Sequence, residues 1–308
     1  MLDRQSGAVD HRVVRDLPSL LRPGDLLVAN RSRVLPARLI GRKTGSGGRV
    51  ELLLLRPLDN GTWEALVGGR RIAAGQRIEL APDLTVEVGE PTAGGRAVRF
   101  PAPCDPIAVL HRLGQAPLPP YIRAYGGDPE RYQTVYAAEE GSAAAPTAGL
   151  HFTPELIAQL GAAGIGWSTV LLHVGLDTFK PMTDEDVGRH RIHTEWIHVP
   201  EETVDAIRAT KKRGNRVIAV GTTTVRALEH AAGEGGLQAY RGAADLFITP
   251  GFRFRVVDAL MTNFHMPRSS LLLLVSAFAG RERILAAYEE AIRRHYRFLS
   301  FGDAMLII

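Results

Sequence analysis

Between Arg49 and Phe100 the chain is written in short apolar runs, VELLLLRP, TWEALV, IEL, LTVEV and AVRF. Turn signals separate them: Asn60-Gly61, Gly68-Gly69 and Gly94-Gly95. Almost no helical periodicity is present, so five or six short strands are expected, and strands at such spacing close into a small β-barrel. Such a segment cannot be absorbed into a helical layer, and this restricts the whole chain to an architecture that carries a separate barrel. The proline-rich stretch from Pro101 to Pro120 leads out of it. Ahead of it, Gly24 to Ala29 (GDLLVA) reads as a strand behind the turn residues Pro23 and Gly24. Arg33 to Ile40 continues extended, with Pro36 tolerated only at an edge or bend.

After Pro120 the pattern changes to alternating strands and helices. Pro154 to Gly161 reads as a helix behind Thr153, a good N-cap, with proline at its first position. Trp167 to His173 is a buried strand, and Glu201 to Arg213 an amphipathic helix with Val204, Ala206 and Ile207 inward, stopped by Gly214-Asn215. Val217 to Val220 is a strand feeding a helix from Thr224 to Ala232. Leu271 to Val275 is either a buried strand or the first turns of a buried helix. Arg281 to Tyr296 closes the series with Ile284, Leu285, Tyr288 and Ile292 on one face. Strands alternating with helices imply a largely parallel sheet, whose sites lie at the strands' C-terminal ends. The expectation is therefore an α/β domain in two parts, residues 1–42 and 121–308, with an inserted barrel at 43–120.

At 308 residues, 45% hydrophobic and 23% charged, the chain can bury a substantial core and reads as a soluble protein. No apolar stretch approaches the roughly 20 residues a membrane span needs. The N-terminus, MLDRQSGAVDHR, has no secretory apolar segment, and a lone Cys104 fits a reducing cytoplasm. A cytoplasmic monomer is expected. The net charge is +4, and only Lys43, Lys180, Lys211 and Lys212 among 37 basic residues are lysines. Arginine grips phosphate bidentately and stacks on bases, which suits an RNA partner; a compositional bias explains the excess equally well. His190, His193 and His198 lack metal-ligand spacing, and no metal is expected.

Four polar clusters have no packing rationale. In TNFHMP, Thr262, Asn263 and His265 stand beside an apolar element and a proline, where a rigid scaffold would hold a site. In VIAVGTTTVRALE, Gly221, Thr222, Thr223 and Thr224 open a helix whose N–H groups and hydroxyls attract a carboxylate or phosphate, and Arg226 adds a fixed positive charge. The alternative is an ordinary threonine cap. In APTAGLHFT, Thr147, Gly149 and His151 precede a helix. Gly149 allows close approach to a flat ligand, and His151 could be a base or a hydrogen-bond partner, or merely structural. In LLHVGLDTFKP, His173 and Asp177 could form an oriented acid–base pair if the loop turns back.

Together with PLPPYIR, YQTVYA and YRFLSFGDAMLI, these motifs resemble, in order from Leu26 to Ile307, the S-adenosylmethionine:tRNA ribosyltransferase-isomerase family of queuosine biosynthesis. Members begin further upstream than this chain, so either it resembles a shortened, divergent member or its true start lies ahead of Met1. The resemblance implies a barrel-like large α/β domain, mostly of parallel strands, with the small β-barrel inserted. It also implies transfer and isomerisation of the ribosyl part of S-adenosylmethionine, as co-substrate, onto 7-aminomethyl-7-deazaguanine at the tRNA wobble position. Adenine and methionine would leave, and no tightly bound cofactor is called for. His265, His173 and His151 become candidates for proton transfer, with His265 foremost. Thr147, Gly149, the Gly221–Thr224 turn, Arg226, Asn263 and Asp303 become candidates for substrate binding. A stretch resembling the family's HxMHxE motif adds His193 and Glu195. Arg33, Arg38, Arg123 and Lys180 flank shared motifs and become candidates for tRNA binding.

The chain departs from the family at several points. Asp177 replaces a glycine, Ile192 a methionine, Arg31-Ser32 an Asp-Thr pair, and Ala243-Ala244 a Trp-Thr pair. These departures admit a relative acting on a different deazapurine or RNA acceptor. An S-adenosylmethionine-dependent RNA methyltransferase would want a glycine-rich turn opening a helix, whereas GRKTGSGG at Gly41 to Gly48 has no helix after it. A non-catalytic RNA-binding barrel would want exposed aromatics, and the barrel segment offers only Trp63 and Phe100.

Overall fold

The computed structural model describes residues 1–58, 61–119, 121–122, 127–174 and 194–308. Two compact units emerge: Met1–Arg33 with Glu130–Ile308, and Val34–Pro129. In chain order the first elements are α1 (Leu17–Leu20), β1 (Leu26–Asn30) and β2 (Ser32–Val34). There follow β3 (Arg38–Lys43), β4 (Arg49–Pro57), β5 (Thr62–Gly68), β6 (Gln76–Ala81), β7 (Leu84–Pro91), β8 (Arg96–Arg99) and α2 (Pro106–Leu113). Next come β9 (Glu139–Ser142), α3 (Pro154–Ala162), β10 (Gly166–His173), β11 (Glu195–Val199), α4 (Glu201–Lys212), β12 (Val217–Val220) and α5 (Thr222–Ala231). The last are β13 (Tyr240–Ala244), β14 (Ala259–Asn263), α6 (Ser270–Ala279), α7 (Arg281–Arg293) and β15 (Ala304–Ile307).

The second unit holds a closed barrel in the order β3-β4-β5-β8-β7-β6, with every pairing antiparallel. Closure removes the sheet edges that an isolated set of short strands would expose. Leu39, Val50, Leu52, Leu54, Ile78, Val88 and Val98 are buried. The division falls earlier than the expected 42/43 boundary because β3 pairs with both β4 and β6 and completes the cylinder. Helix α2 went unread behind its prolines. Pro106 occupies its first position, and the Asp105 side chain caps it by accepting from the Ile107 amide.

The first unit is built on a seven-stranded sheet ordered β13-β11-β10-β1-β12-β14-β15. The three central pairings, β10 with β1, β1 with β12, and β12 with β14, are parallel. The flanking pairings are antiparallel. The barrel-like, mostly parallel expectation is thereby refined: among the described residues the sheet is an open run, parallel only through its centre.

Central strands apolar on both faces explain why β1, β12 and β14 read as continuous hydrophobic runs without alternation. Leu26, Val28, Val217, Ala219 and Leu260 face a core completed by Val204 and Ile207 of α4, Val225 and Leu228 of α5, Leu274 and Phe278 of α6, and Ile284 of α7. Leu27, Ala29, Ile218, Val220 and Met261 face a second core with Leu17, Leu156 and Leu160.

Leu271 to Val275 proves helical, within α6, whose Ser269 cap accepts from the Leu272 amide. The strand lies earlier, at β14, and takes in Thr262 and Asn263. Helix α7 ends at Arg293, and its inner face is Ile284, Ala287, Tyr288 and Ala291; Ile292 points outward at 63% exposure. Thr153 caps α3 as expected, accepting from the Leu156 amide.

One buried carboxylate sets the approach to β14. Glu229 of α5 accepts from the amides of Arg255, Val256 and Val257 at 2.8–3.0 Å. Replacing it strands three amide donors, two of them in buried bonds. Glu229→Ala is expected to lower unfolding stability by about 3 kcal/mol. Urea melts would read this as an earlier midpoint at unchanged slope; an unshifted midpoint would refute it.

Candidate active site

Because β1, β10, β12 and β14 run parallel, their C-terminal ends share one edge of the sheet. Asn30, His173, Val220 and Asn263 end these strands, and the last three belong to, or are followed by, a polar cluster singled out from sequence. Asn30 is spent on structure. Its amide bonds the Leu172 carbonyl and accepts from the Leu172 and Ser32 amides.

Asn263 is the hub. Its Oδ1 accepts from the Thr147 hydroxyl at 3.0 Å, and its Nδ2 lies 3.1 Å from His151 Nε2. Since Oδ1 faces a donor, Nδ2 donates to the imidazole, and Nε2 must be the acceptor. His151 is thus held as the neutral Nδ1–H tautomer. Burial pushes its pKa down, against a smaller upward pull from Asp303 and with a further downward push from Arg297. Asp303 is fixed by a tight loop: it accepts from the Arg297 amide at 2.6 Å and donates its own amide to the Arg297 carbonyl at 2.7 Å. Leu299 docks that loop on the Phe264 carbonyl. Three motifs far apart in sequence, those holding Thr147 and His151, Asn263, and Asp303, therefore meet. Arg297 was missed by sequence reasoning although it sits inside YRFLSFGDAMLI, because nothing local marks one arginine among many.

Beside this hub lies the N-terminus of α5. Gly221 adopts φ 90°, a left-handed conformation suited to glycine, and donates to the Met261 carbonyl. A side chain there would meet Ala148 and Thr223. Gly221 offers no side chain to cap the helix, and no capping bond to its first amides is present among the described residues. The four residues divide in role. Thr224 bonds back to the Val220 carbonyl at 2.8 Å, and Thr222 is buried. The Thr223 hydroxyl has no partner among the described residues.

Two of the candidate residues are already engaged within the fold. Arg226 is no free charge: its guanidinium is buried against the Glu195 carboxylate and also donates to the Leu246 carbonyl. The sequence did pick both residues, yet the pair braces α5 against β11. At Gly149 a Cβ would lie 2.0 Å from the Tyr136 hydroxyl. Close approach is needed, but the chain's own tyrosine makes it.

His265 is buried at 8% exposure, with Nε2 2.9 Å from the Thr262 hydroxyl and its amide donating to Tyr288. Burial pushes its pKa down to about 4. His173 ends β10 with its ring stacked on Trp196, and its Nδ1 has no partner among the described residues. Burial lowers its pKa, against a smaller upward pull from Glu139.

Of the arginines expected to meet tRNA, Arg33 makes a bidentate pair with Glu130 at 2.7 and 2.8 Å. Arg38 lies 3.1 Å from Glu51 and donates to the Leu118 carbonyl. Arg31 is held by Glu139 and Thr169. Arg123, Asp177, Lys180, His190 and His193 lie outside the described residues. Among those described, no cluster of His, Cys, Asp and Glu is arranged to hold a metal, and no helix is long and apolar enough to cross a membrane.

A family model described as queuosine biosynthesis protein matches residues 1–307. The chain is 53% identical to the S-adenosylmethionine:tRNA ribosyltransferase-isomerase of Heliobacterium modesticaldum, covering 100% of this chain and 92% of the relative. It is 55% identical to the protein of that name from Gloeobacter violaceus, over 97% of this chain and 86% of the relative. Among solved structures, the S-adenosylmethionine tRNA ribosyltransferase of Thermotoga maritima is 40% identical with a TM-score of 0.56, covering 100% of this chain and 90% of that one.

The histidines give a signed pH dependence. An unfolded imidazole titrates near ~6.5, well above the value of about 4 for folded His265. The stabilisation from holding it neutral is therefore complete above that unfolded value and is lost as pH falls toward the folded one. The loss approaches about 1.4 kcal/mol per pH unit within that window. Thermal melts should show a shallower acid-side fall for His265→Gln than for the parent protein. Parallel curves would mean that His265 is already protonated in the fold.

Proposed function

This chain belongs to the queuosine biosynthesis protein family, and from that premise we propose that it is an S-adenosylmethionine:tRNA ribosyltransferase-isomerase. It transfers the ribosyl part of S-adenosylmethionine to 7-aminomethyl-7-deazaguanine in the tRNA wobble position and isomerises it, giving epoxyqueuosine, adenine and methionine. S-adenosylmethionine is consumed as a co-substrate, and the chemistry asks for no tightly held cofactor. The observation that carries the site assignment is the convergence of Thr147, His151, Asn263 and Asp303 beside the open first turn of α5.

Such a reaction needs a base for the C5′ proton acidified by the sulfonium, a group assisting departure of adenine, and firm placement of both partners. His151, with its proton on Nδ1 and its Nε2 fixed by Asn263, is suited to hydrogen-bond the leaving adenine through Nδ1–H and so stabilise its developing negative charge. His173, kept neutral by burial, is the imidazole suited to accept the C5′ proton; its Nδ1 is buried and has no partner among the described residues. His265, foremost on sequence grounds, is better suited to shaping the strand end that carries Asn263, given its burial and its bond to Thr262. The amides of α5 and the Thr223 hydroxyl suit the methionine carboxylate. Asp303 supports His151.

The purified protein with suitably modified tRNA should release adenine and no S-adenosylhomocysteine, as read by mass spectrometry. Release of S-adenosylhomocysteine would replace this reading with a methyltransferase. His151→Ala should cut turnover roughly 10²–10⁴-fold while S-adenosylmethionine still binds. A folded His151→Ala protein turning over at the parental rate would remove His151 from the chemistry.

A further inference from the structure

We propose that the β10–β11–β13 flank of the sheet carries a stacking platform for an unpaired nucleotide of the RNA substrate, with Trp196 contacting the base and Arg241 its phosphate. This rests on the tRNA-modifying reading above and names a contact surface for that partner.

Strand β11 alternates: Glu195, Ile197 and Val199 are buried, while Trp196 and His198 are half-buried on the other face. Register sets Trp196 between His173 on β10 and Ala243 on β13. His173 stacks on the indole with centroids 5.4 Å apart and planes 27° from parallel, and His198 meets it edge-on at 6.3 Å. The exposed Ala243 brings only a methyl group, too small to roof the ring. The Arg241 guanidinium lies 5.4 Å from the Trp196 centroid. Arg241 is exposed and, unlike Arg31, Arg33 and Arg38, has no carboxylate partner among the described residues.

An indole flanked by an imidazole and a free guanidinium is what a single-stranded nucleotide needs. The base stacks on the aromatic or arginine plane, and the cation takes the phosphate. A paired stem keeps its base faces hidden and gains little from such a surface. The platform also adjoins the candidate site, because His173 is both its inner wall and the last residue of β10. A nucleotide held on Trp196 would neighbour the one being modified. The barrel offers no equivalent: Trp63 and Phe100 are 9% and 5% exposed.

The test is a salt series of binding to a labelled anticodon stem-loop of the substrate tRNA and to a blunt duplex of equal length. The parent protein, Trp196→Leu, Trp196→Phe and Arg241→Ala are compared. Trp196→Leu should weaken stem-loop binding about tenfold, while Trp196→Phe retains most of it. Arg241→Ala should reduce the slope of log affinity against log salt by about one. S-adenosylmethionine affinity, measured without RNA, should stay at the parental value in all three. Unchanged stem-loop affinity and slope would overturn the platform, as would equal losses on stem-loop and duplex. Joint loss of S-adenosylmethionine affinity in Trp196→Leu would instead assign Trp196 a structural role through His173. If Trp196→Leu fails to fold, the salt slope of Arg241→Ala decides alone. A parent protein that releases no adenine would defeat the functional reading yet leave these binding comparisons interpretable.

Discussion

The parallel ladder of β10, β1, β12 and β14 is the constraint on which the rest depends. Its inner strands are apolar on both faces, with one core beneath and another above. No polar side chain can sit within such strands without a buried partner, so hydrogen-bonding chemistry is expelled to their ends. Parallel pairing then puts the C-terminal ends side by side, at strand spacings of about 4.8 Å. Thr147 and Asn263, 116 positions apart in the chain, come within hydrogen-bond reach because β14 ends on that edge. The fold thus gathers the site without any local sequence rule requiring it.

The three candidate histidines are sorted by what surrounds them. All three are kept neutral by burial. They differ in partner: Nε2 of His151 meets Asn263 and Nε2 of His265 meets Thr262, while Nδ1 of His173 has no partner among the described residues. The Thr147 hydroxyl fixes the Asn263 amide, the amide fixes the His151 tautomer, and a defined Nδ1–H results. Protonating Nε2 would set two donors against each other, so the hydrogen bond and the burial act in the same direction. His265 has its own anchor in Thr262, and its backbone amide is tied to Tyr288 of α7. It therefore couples the strand end to the helical layer behind it.

Much of this was legible in the sequence. Turn signals at regular spacing gave the barrel, and continuous apolar runs gave β1, β10 and β12 but not β14. Thr153 before Pro154 gave a helix start, and polar clusters without packing rationale marked the strand ends. Other features depended on information absent from any local window. Leu271 to Val275 is apolar at every position, so periodicity could not separate strand from helix. Ile292 follows the helical spacing of its face but yields to Ala291, which fits closer against the core. Arg226 and Glu195 were both chosen, for separate reasons, yet their mutual burial cancels the free charge that made Arg226 attractive. Gly149 was read as making room for a ligand, and the room is filled by Tyr136. In each case the partner lies far along the chain, and only the fold says which one it is.

The arginine excess follows the same logic. A net charge of +4 suits a polyanionic partner, but net charge does not say where contact is made. Arg31, Arg33 and Arg38 each hold a carboxylate at hydrogen-bonding distance. Binding a phosphate there would first require breaking that pair, so part of the gain would be lost. Arg241 has no such competitor among the described residues, and its neighbour is an aromatic ring. For an arginine, stacking on an indole leaves the outer N–H groups unspent, whereas a bidentate carboxylate takes them up. The side chains best prepared for RNA are therefore those paired to rings. Arg241 over Trp196 meets that criterion, as does Arg4 over Phe278, whereas Arg33 and Arg38 do not.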